Sequence, residues 1–332
     1  MDLLNKTKEL CRAYDIHPAR SKGQNFLIKE EIYDEIIEAA ELKKEDVVLE
    51  VGPGLGFLTA KLALRLRSPR PDFGTKAGQA GGGGKVIAVE LDDKLAEVLR
   101  AGLAAKGVGN VEVVNQNILD FRFSDLLFRH SREGGNPEKS TNETNAGNLW
   151  IPDQVGDDKK GKFKIVANLP YNITSVFLRK FLGEAEIKPS LMVLMLQKEV
   201  AERICAKAGE MSLLSVSVQF YAEPEIIKIA PADNFWPKPK VDSAIVRIRI
   251  KSPLPPLYKG GNLEKDFFRL VKIGFSARRK MLKNNLAAGF YVSTETAENW
   301  LKKAGFNPKI RAQELSVDDW VKLLGEVKAN MV

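Results

Sequence analysis

Val47-Val48-Leu49-Glu50-Val51 is a β-branched, largely apolar run that stops at Gly52-Pro53-Gly54-Leu55-Gly56. Phe57-Leu58-Thr59-Ala60-Lys61-Leu62 follows at once with helical spacing. Strand, glycine turn and helix in this order form the opening unit of a doubly wound sheet, in which ligands bind at the tips of parallel strands. The glycines let the backbone come close to a nucleotide-like ligand, which makes Gly52 and Gly54 candidate cofactor contacts. The spacing is Gly-x-Gly-x-Gly and not the Gly-x-Gly-x-x-Gly of dinucleotide sites. That removes one reason to expect a pyrophosphate and suits a nucleoside such as S-adenosylmethionine.

Two further runs end in polar groups. Lys85-Val86-Ile87-Ala88-Val89 ends in Glu90, placed to accept hydrogen bonds from both hydroxyls of a ribose. Val111-Glu112-Val113-Val114 runs into Asn115-Gln116-Asn117-Ile118-Leu119, where a polar side chain can read an adenine amine. Alone, Glu90 is better explained as a solvated carboxylate at a strand end. With Asn168, which ends a fourth run, they make three polar groups at strand ends, and these point instead to one ligand.

A fourth apolar run, Phe163 to Ala167, opens onto Asn168-Leu169-Pro170-Tyr171. As an isolated tetrapeptide this is a strand-terminating turn, because Asn and Pro are common turn formers. In company with the glycine turn it suits methyl transfer to an amine on a nucleobase. The exocyclic amine of adenine is planar and a poor nucleophile, since its lone pair is delocalised into the ring. An Asn oxygen and a neighbouring carbonyl, here that of Leu169, can each accept one amine hydrogen and draw the nitrogen toward tetrahedral geometry. Pro170 fixes the backbone presenting that carbonyl. Tyr171 offers a flat face for an unstacked base.

With these residues in place, the chain resembles the ribosomal RNA adenine dimethyltransferases, and among them the small-subunit dimethyladenosine transferases associated with kasugamycin sensitivity. The likeness extends over Gln24-Asn25-Phe26-Leu27, the glycine loop from Glu50 to Gly56, Asn168 to Ile173, and Gln197-Lys198-Glu199-Val200-Ala201-Glu202-Arg203. It continues through Phe235-Trp236-Pro237-Lys238-Pro239-Lys240-Val241-Asp242-Ser243, Gly274-Phe275-Ser276-Ala277-Arg278-Arg279-Lys280 and Arg311-Ala312-Gln313-Glu314-Leu315-Ser316. The resemblance implies an α/β, Rossmann-like class I methyltransferase fold dependent on S-adenosylmethionine (SAM), with a smaller all-α C-terminal domain. It implies cofactor contacts at Asn25, Leu27, Gly52, Glu90, Asn117 and Asn168, and a Phe235 ring closing the face of the base opposite Tyr171. The implied substrate is two adjacent adenosines near the 3′ end of small-subunit ribosomal RNA, within an assembling subunit. The family usually places Asp where this chain has Asn117, which keeps one acceptor oxygen and loses the charge.

Composition is consistent with this. The 332 residues suffice for one large or two modest cores, and the net charge of +8 favours a polyanionic partner. Arg278, Arg279, Lys280 and Lys283 crowd an expected helix, and Lys238 and Lys240 stand beside Phe235 and Trp236. Cations interleaved with aromatics suit phosphates together with unstacked bases; for Trp236, partial burial is the competing reading. Cys11 and Cys205 are the only cysteines and His17 and His130 the only histidines. None shows ligand or disulfide spacing, so reduced thiols, no metal site and no imidazole base are expected. With no basic-then-apolar leader and no apolar run near membrane-spanning length, the expectation is a cytoplasmic protein without a membrane partner. Nothing in the sequence suggests more than a monomer.

The organisation expected is an N-terminal arm (residues 1 to 28), a methyltransferase domain (29 to 252) and a helical RNA- or ribosome-binding domain (253 to 332). The arm carries Arg20 and Lys22, which suit nucleic acid, although an ordinary disordered terminus accounts for it equally. Glu30 to Ala40 has the four-residue apolar spacing of a helix, Leu191 to Leu196 reads as a buried strand, and Ala244 to Ile250 as a late antiparallel edge strand. Residues 68 to 84 and 129 to 160 look like loop insertions, tolerated where extra length adds little closure entropy. Three alternative functions remain at this point: a large-subunit adenine dimethylase of the macrolide-resistance type, a noncatalytic RNA-binding assembly factor retaining the fold, and a DNA adenine methyltransferase.

Overall fold

The computed structural model describes residues 2–18, 24–67, 83–122, 163–185, 187–251 and 261–330. Helix α1 (Leu3–Ala13) starts at Asp2, whose carboxylate accepts from the Asn5 N–H at 2.8 Å. Over residues 2–18 the N-terminal segment is therefore ordered as a helix and turn. Cys11 and Ile16 are buried with Phe26, Leu55, Leu95 and Val98, which fastens the segment to the glycine loop. Arg20 and Lys22 lie outside the described residues, as do residues 129 to 160 and all of 68 to 84 except Gly83 and Gly84.

Strands and helices then alternate. In chain order they are β1 (Phe26–Leu27), α2 (Glu30–Ala39), β2 (Val47–Val51), α3 (Phe57–Leu66), β3 (Lys85–Glu90), α4 (Asp93–Ala105), β4 (Val111–Asn115) and β5 (Phe163–Asn168). After these come α5 (Thr174–Arg179), β6 (Leu191–Gln197), α6 (Lys198–Ile204), α7 (Leu213–Tyr221), β7 (Ala222–Ala230), β8 (Phe235–Trp236) and β9 (Ser243–Ile250). The main sheet has the order β4-β3-β2-β5-β6-β9-β7. Its first five strands are parallel, and β9 is antiparallel to both neighbours. A separate two-residue pair joins β1 to β8, with Leu27 opposite Phe235.

Side chains alternate across a strand, so a run that is apolar throughout needs cover on both faces. Val47, Leu49 and Val51 share one face with Ile165, Ala167 and Leu194, covered by Phe177 of α5 and Val216 of α7. Val48 turns to the other face with Val166 and Val193, under Ile36 of α2 and Leu62 of α3. Each such side chain contributes about 1.5–3 kcal/mol when fully buried, so these two layers hold the sheet flat against its helices.

Strand β9 is antiparallel as expected but interior, and the edge is β7. Ala244, Ile245, Val246 and Ile248 of β9 are all fully buried. By contrast β7 carries Glu223, Pro224, Glu225 and Lys228 and an irregular register between Ile226 and Lys228. Proline, charge and a bulge are what an unpaired sheet edge accommodates.

Among the described residues four helices follow β9: α8 (Gly261–Gly274), α9 (Leu282–Phe290), α10 (Thr294–Lys303) and α11 (Val317–Ala329). Their core is continuous with that of the sheet. Phe220 of α7 packs on Phe267 of α8 with ring centroids 4.3 Å apart, and Trp320 of α11 is fully buried over the end of α8. Among the described residues no helix is long and apolar enough to cross a membrane.

A Cβ at Gly274 would stand 2.2 Å from the Trp320 ring. Overpacking of this kind costs about 1–3 kcal/mol, so Gly274→Ala should lower the melting temperature by several degrees. An unchanged melt would show that Trp320 is not locked at this contact.

Candidate active site

Strand β2 is flanked in parallel by β3 and β5, with Val51 opposite both Val89 and Ala167. The helices leaving β2 and β5 cover opposite faces, so the strand ends part there and open a crevice. Gly52 and Asn168, the next residues along the two strands, form its walls, and a Cβ on Gly52 would lie 3.9 Å from the Asn168 carbonyl oxygen. Asn25, Leu27, Gly54, Glu50, Glu90 and Pro170 also line it.

Gly52 and Gly54 have φ of 65° and 55°, in the left-handed region where a side chain is strained. This curl aims the Gly54 N–H at Glu90 Oε2, 3.0 Å away, while the Asp92 N–H reaches Oε1 at 3.0 Å. Each carboxylate oxygen keeps a further lone pair for a ligand hydroxyl. Burial lifts the Glu90 carboxyl above its ordinary value, against the pull of those two N–H groups.

Glu50 is a site residue the sequence reasoning passed over. It is 1 % exposed, and neither carboxylate oxygen has a hydrogen-bond partner among the described residues. Burial pushes its carboxyl up to about 8 against the pull of the nearby Thr59 hydroxyl, and the Glu90 charge adds to the rise. The signal was visible: a glutamate inside an apolar strand is rare without a partner or a function.

At the other wall, the Asn168 Nδ2 donates to the Asn25 carbonyl at 3.3 Å. A carbonyl can only accept, so the amide NH2 faces it and Oδ1 remains as an acceptor, with no donor to it among the described residues. Leu169 as a whole residue is 1 % exposed, and its N–H donates to the Met195 carbonyl at 3.3 Å, which fixes the backbone before Pro170. Tyr171 begins a 3-10 turn (Tyr171–Ile173) with its ring half-buried and its hydroxyl 2.9 Å from Ser243 Oγ.

The other candidates differ in placement, and only Leu27 among them lines the crevice. Leu27 is 1 % exposed, and its carbonyl accepts from the Tyr33 hydroxyl at 2.9 Å. Phe235 is 3 % exposed among Leu27, Tyr33 and Ile245, so a base reaches its ring only if the β8 segment shifts. Asn117 stands in the turn after β4, outside the lining of the crevice, and its Oδ1 accepts from the Leu119 N–H at 3.0 Å. Lys238 and Lys240 are exposed, with Lys238 paired to Asp233 at 2.6 Å. Arg278, Arg279 and Lys280 are exposed in a turn between α8 and α9, not on a helix, and the Asn285 Nδ2 holds that turn by the Gly274 and Ala277 carbonyls. Lys283 is ion-paired to Glu298 at 2.7 Å.

A second concavity of about 1030 Å³ lies between α5, α7 and α8. Arg203, Lys265, Lys272 and Arg278 line it, exposed and without an ion-pair partner among the described residues.

The model of the ribosomal RNA adenine dimethylase family matches residues 17–70 and 78–328. The chain belongs to this family. A ribosomal RNA small subunit methyltransferase A of Dehalococcoides mccartyi is 39% identical over 328 residues, covering 99% of this chain and 94% of the relative. Its counterpart in Clostridium botulinum is 33% identical, covering 96% of each chain. Among solved structures, the 23S rRNA methyltransferase ErmE aligns with a TM-score of 0.63 at 27% identity, over 92% of this chain and 100% of that one. A dimethyladenosine transferase from Plasmodium falciparum shares the fold with a TM-score of 0.63 at 24% identity, over 92% and 98% of the two chains. As a member of the dimethylase family, the protein is a methyltransferase whose α/β fold carries a helical C-terminal region.

Glu50 gives the site a pH signature. Unfolded, it titrates at its ordinary 4.5; folded, at about 8. Between those values the folded protein holds a proton that the unfolded chain releases, so this contribution is complete below the lower value and declines as pH rises to the upper one. Glu50→Gln, which does not titrate, should therefore gain stability relative to wild type as ligand-free melts are moved from about pH 5 to about pH 8. Parallel pH profiles for the two proteins would contradict a raised Glu50.

Proposed function

We propose that this protein transfers methyl groups from S-adenosylmethionine to the N6 amines of two adjacent adenosines near the 3′ end of small-subunit ribosomal RNA, acting as a monomer within an assembling small subunit. The observation that carries the reading is the Asn168 side chain. Its NH2 is held by the Asn25 carbonyl and its oxygen is left as an acceptor at the β2–β5 crevice.

The crevice fits the cofactor. A Glu90 braced by two N–H groups suits a ligand rich in hydroxyls, and the buried Glu50 carboxyl beside it, largely protonated at neutral pH, adds a polar group for such a ligand to meet. When bound, S-adenosylmethionine supplies an electrophilic methyl on its sulfonium. Asn25, Leu27, Gly52, Gly54 and Glu90 would hold it, with Asn117 at the adenine end. The Oδ1 of Asn117 is tied to the Leu119 N–H, a role an aspartate oxygen fills equally well, so the substitution leaves the turn intact.

Asn168 Oδ1 and the Leu169 carbonyl would accept the two hydrogens of the target amine and localise its lone pair, with the base lying on Tyr171. Phe235 would complete the other face once its segment opens. No strong base is needed, because the methylated nitrogen is acidic and releases its proton to water; catalysis rests on positioning and charge complementarity. A second round requires the amine to rotate and fresh cofactor to enter. The cationic groove, the Arg278-Arg279-Lys280 turn, Lys238 and Lys240 give RNA phosphates a place to bind. The curated relatives at 33–39% identity carry a small-subunit name, which favours that subunit over the large one.

Labelled S-adenosylmethionine, undermethylated small ribosomal subunits and mass-spectrometric mapping test the reading. Wild type should yield dimethyladenosine in small-subunit RNA. Asn168→Ala, which removes an acceptor aimed at the transition state, should lose about 10²–10³ in kcat. Tight binding of the particle without transfer would leave a noncatalytic assembly factor, and preferential methylation of large-subunit RNA would redirect the substrate.

A further inference from the structure

The segment ending in Asp242-Ser243 stood out in the sequence, yet neither of these two residues has a part in the reaction as described. Strand β9 runs opposite to its neighbours, so its first residue, Ser243, lies beside Gln197 at the carboxyl end of β6 and beside Ala230 at the end of β7. The start of β9 thus belongs to the catalytic edge of the sheet. Three connections are tied there. The Lys198 N–H after β6 donates to the Asp242 carbonyl at 2.9 Å, the Ala232 N–H after β7 donates to Asp242 Oδ1 at 2.9 Å, and the Tyr171 hydroxyl after β5 meets Ser243 Oγ at 2.9 Å.

Ser243 is fully buried and followed by the apolar Ala244, Ile245 and Val246. A hydroxyl at such a position is destabilising unless it is hydrogen-bonded. Tyr171 is the only side-chain partner it has among the described residues, and a phenol is the stronger donor of the two. A Tyr side chain has two torsions, and its hydroxyl lies on the axis of the second; a hydrogen bond at the far end of the ring therefore anchors χ1, the swing of the ring, and leaves the tilt of its plane to packing.

We propose that Ser243 is a positioning residue for methyl transfer: its hydroxyl anchors the far end of the Tyr171 ring and so sets where the platform for the target adenine stands. The inference rests on the reading of Tyr171 as the platform for the base. It also gives Asp242 a companion task, holding the connection that leads to Phe235 in the same frame.

The test is a cycle of Ser243→Ala, Tyr171→Phe and the double variant, each assayed on undermethylated small subunits. Cofactor affinity is measured separately by calorimetry. Stacking is read from the fluorescence of 2-aminopurine placed at the target adenine of an RNA stem-loop. Loss of one hydrogen bond corresponds to about tenfold in rate, so each single variant should lower kcat by about that factor, with unchanged cofactor affinity and weaker 2-aminopurine quenching. The double variant should be no worse than either single one. Additive losses, or full quenching and full kcat in Ser243→Ala, overturn the positioning role while the reaction stands. A wild-type protein that transfers no methyl, or quenching unaffected by Tyr171→Ala, overturns the platform reading and this inference with it.

Discussion

Everything at the site depends on the parallel pairing of β2 with β5. That pairing sets Val51 beside Ala167, and so sets Gly52 beside Asn168 at the point where crossover helices leave for opposite faces. A register slip of one residue would turn every side chain of a strand to the other face and bury a polar end in the wrong layer. The apolar content of both faces therefore protects the geometry of the crevice. Energy stored in the core is expressed as position at its rim.

The rim is then braced by polar contacts, most of which span distant parts of the chain. Glu90 is gripped by the glycine loop and the start of α4, Asn168 by the segment before β1, and Tyr171 by the start of β9. None of these would be worth much alone on a surface, but each acts at a half-buried place where water competes poorly. The helical C-terminal region joins the same core through Phe220, Phe267 and Trp320, so its basic turn is held at a fixed distance from the crevice rather than on a tether.

The strand–glycine–helix unit, the strand ends at Glu90 and Asn168, and the order of elements were legible because they rest on local patterns: β-branched runs, glycines that need positive φ, and apolar spacing. What was not legible required partners distant in sequence. Ala244 to Ile250 read as an edge because its neighbour β7, with Pro224 and its charges, was not resolved as a strand of its own. Phe235 looked available for stacking, and only its pairing with Leu27 reveals it as buried. Lys283 looked like part of a phosphate-binding cluster until Glu298, on the next helix, is seen to neutralise it. The bond between Ser243 and Tyr171 joins residues 72 apart and leaves no trace in either local motif.

The most direct measurement is a structure of the protein on an undermethylated small ribosomal subunit with S-adenosylhomocysteine bound. The account predicts the cofactor product against Glu90 and the glycine loop, and an unstacked adenine on Tyr171 with its amine within hydrogen-bond reach of Asn168 Oδ1 and the Leu169 carbonyl. A cofactor product in that crevice with the target adenine held elsewhere, or an RNA path that avoids Tyr171, would contradict it.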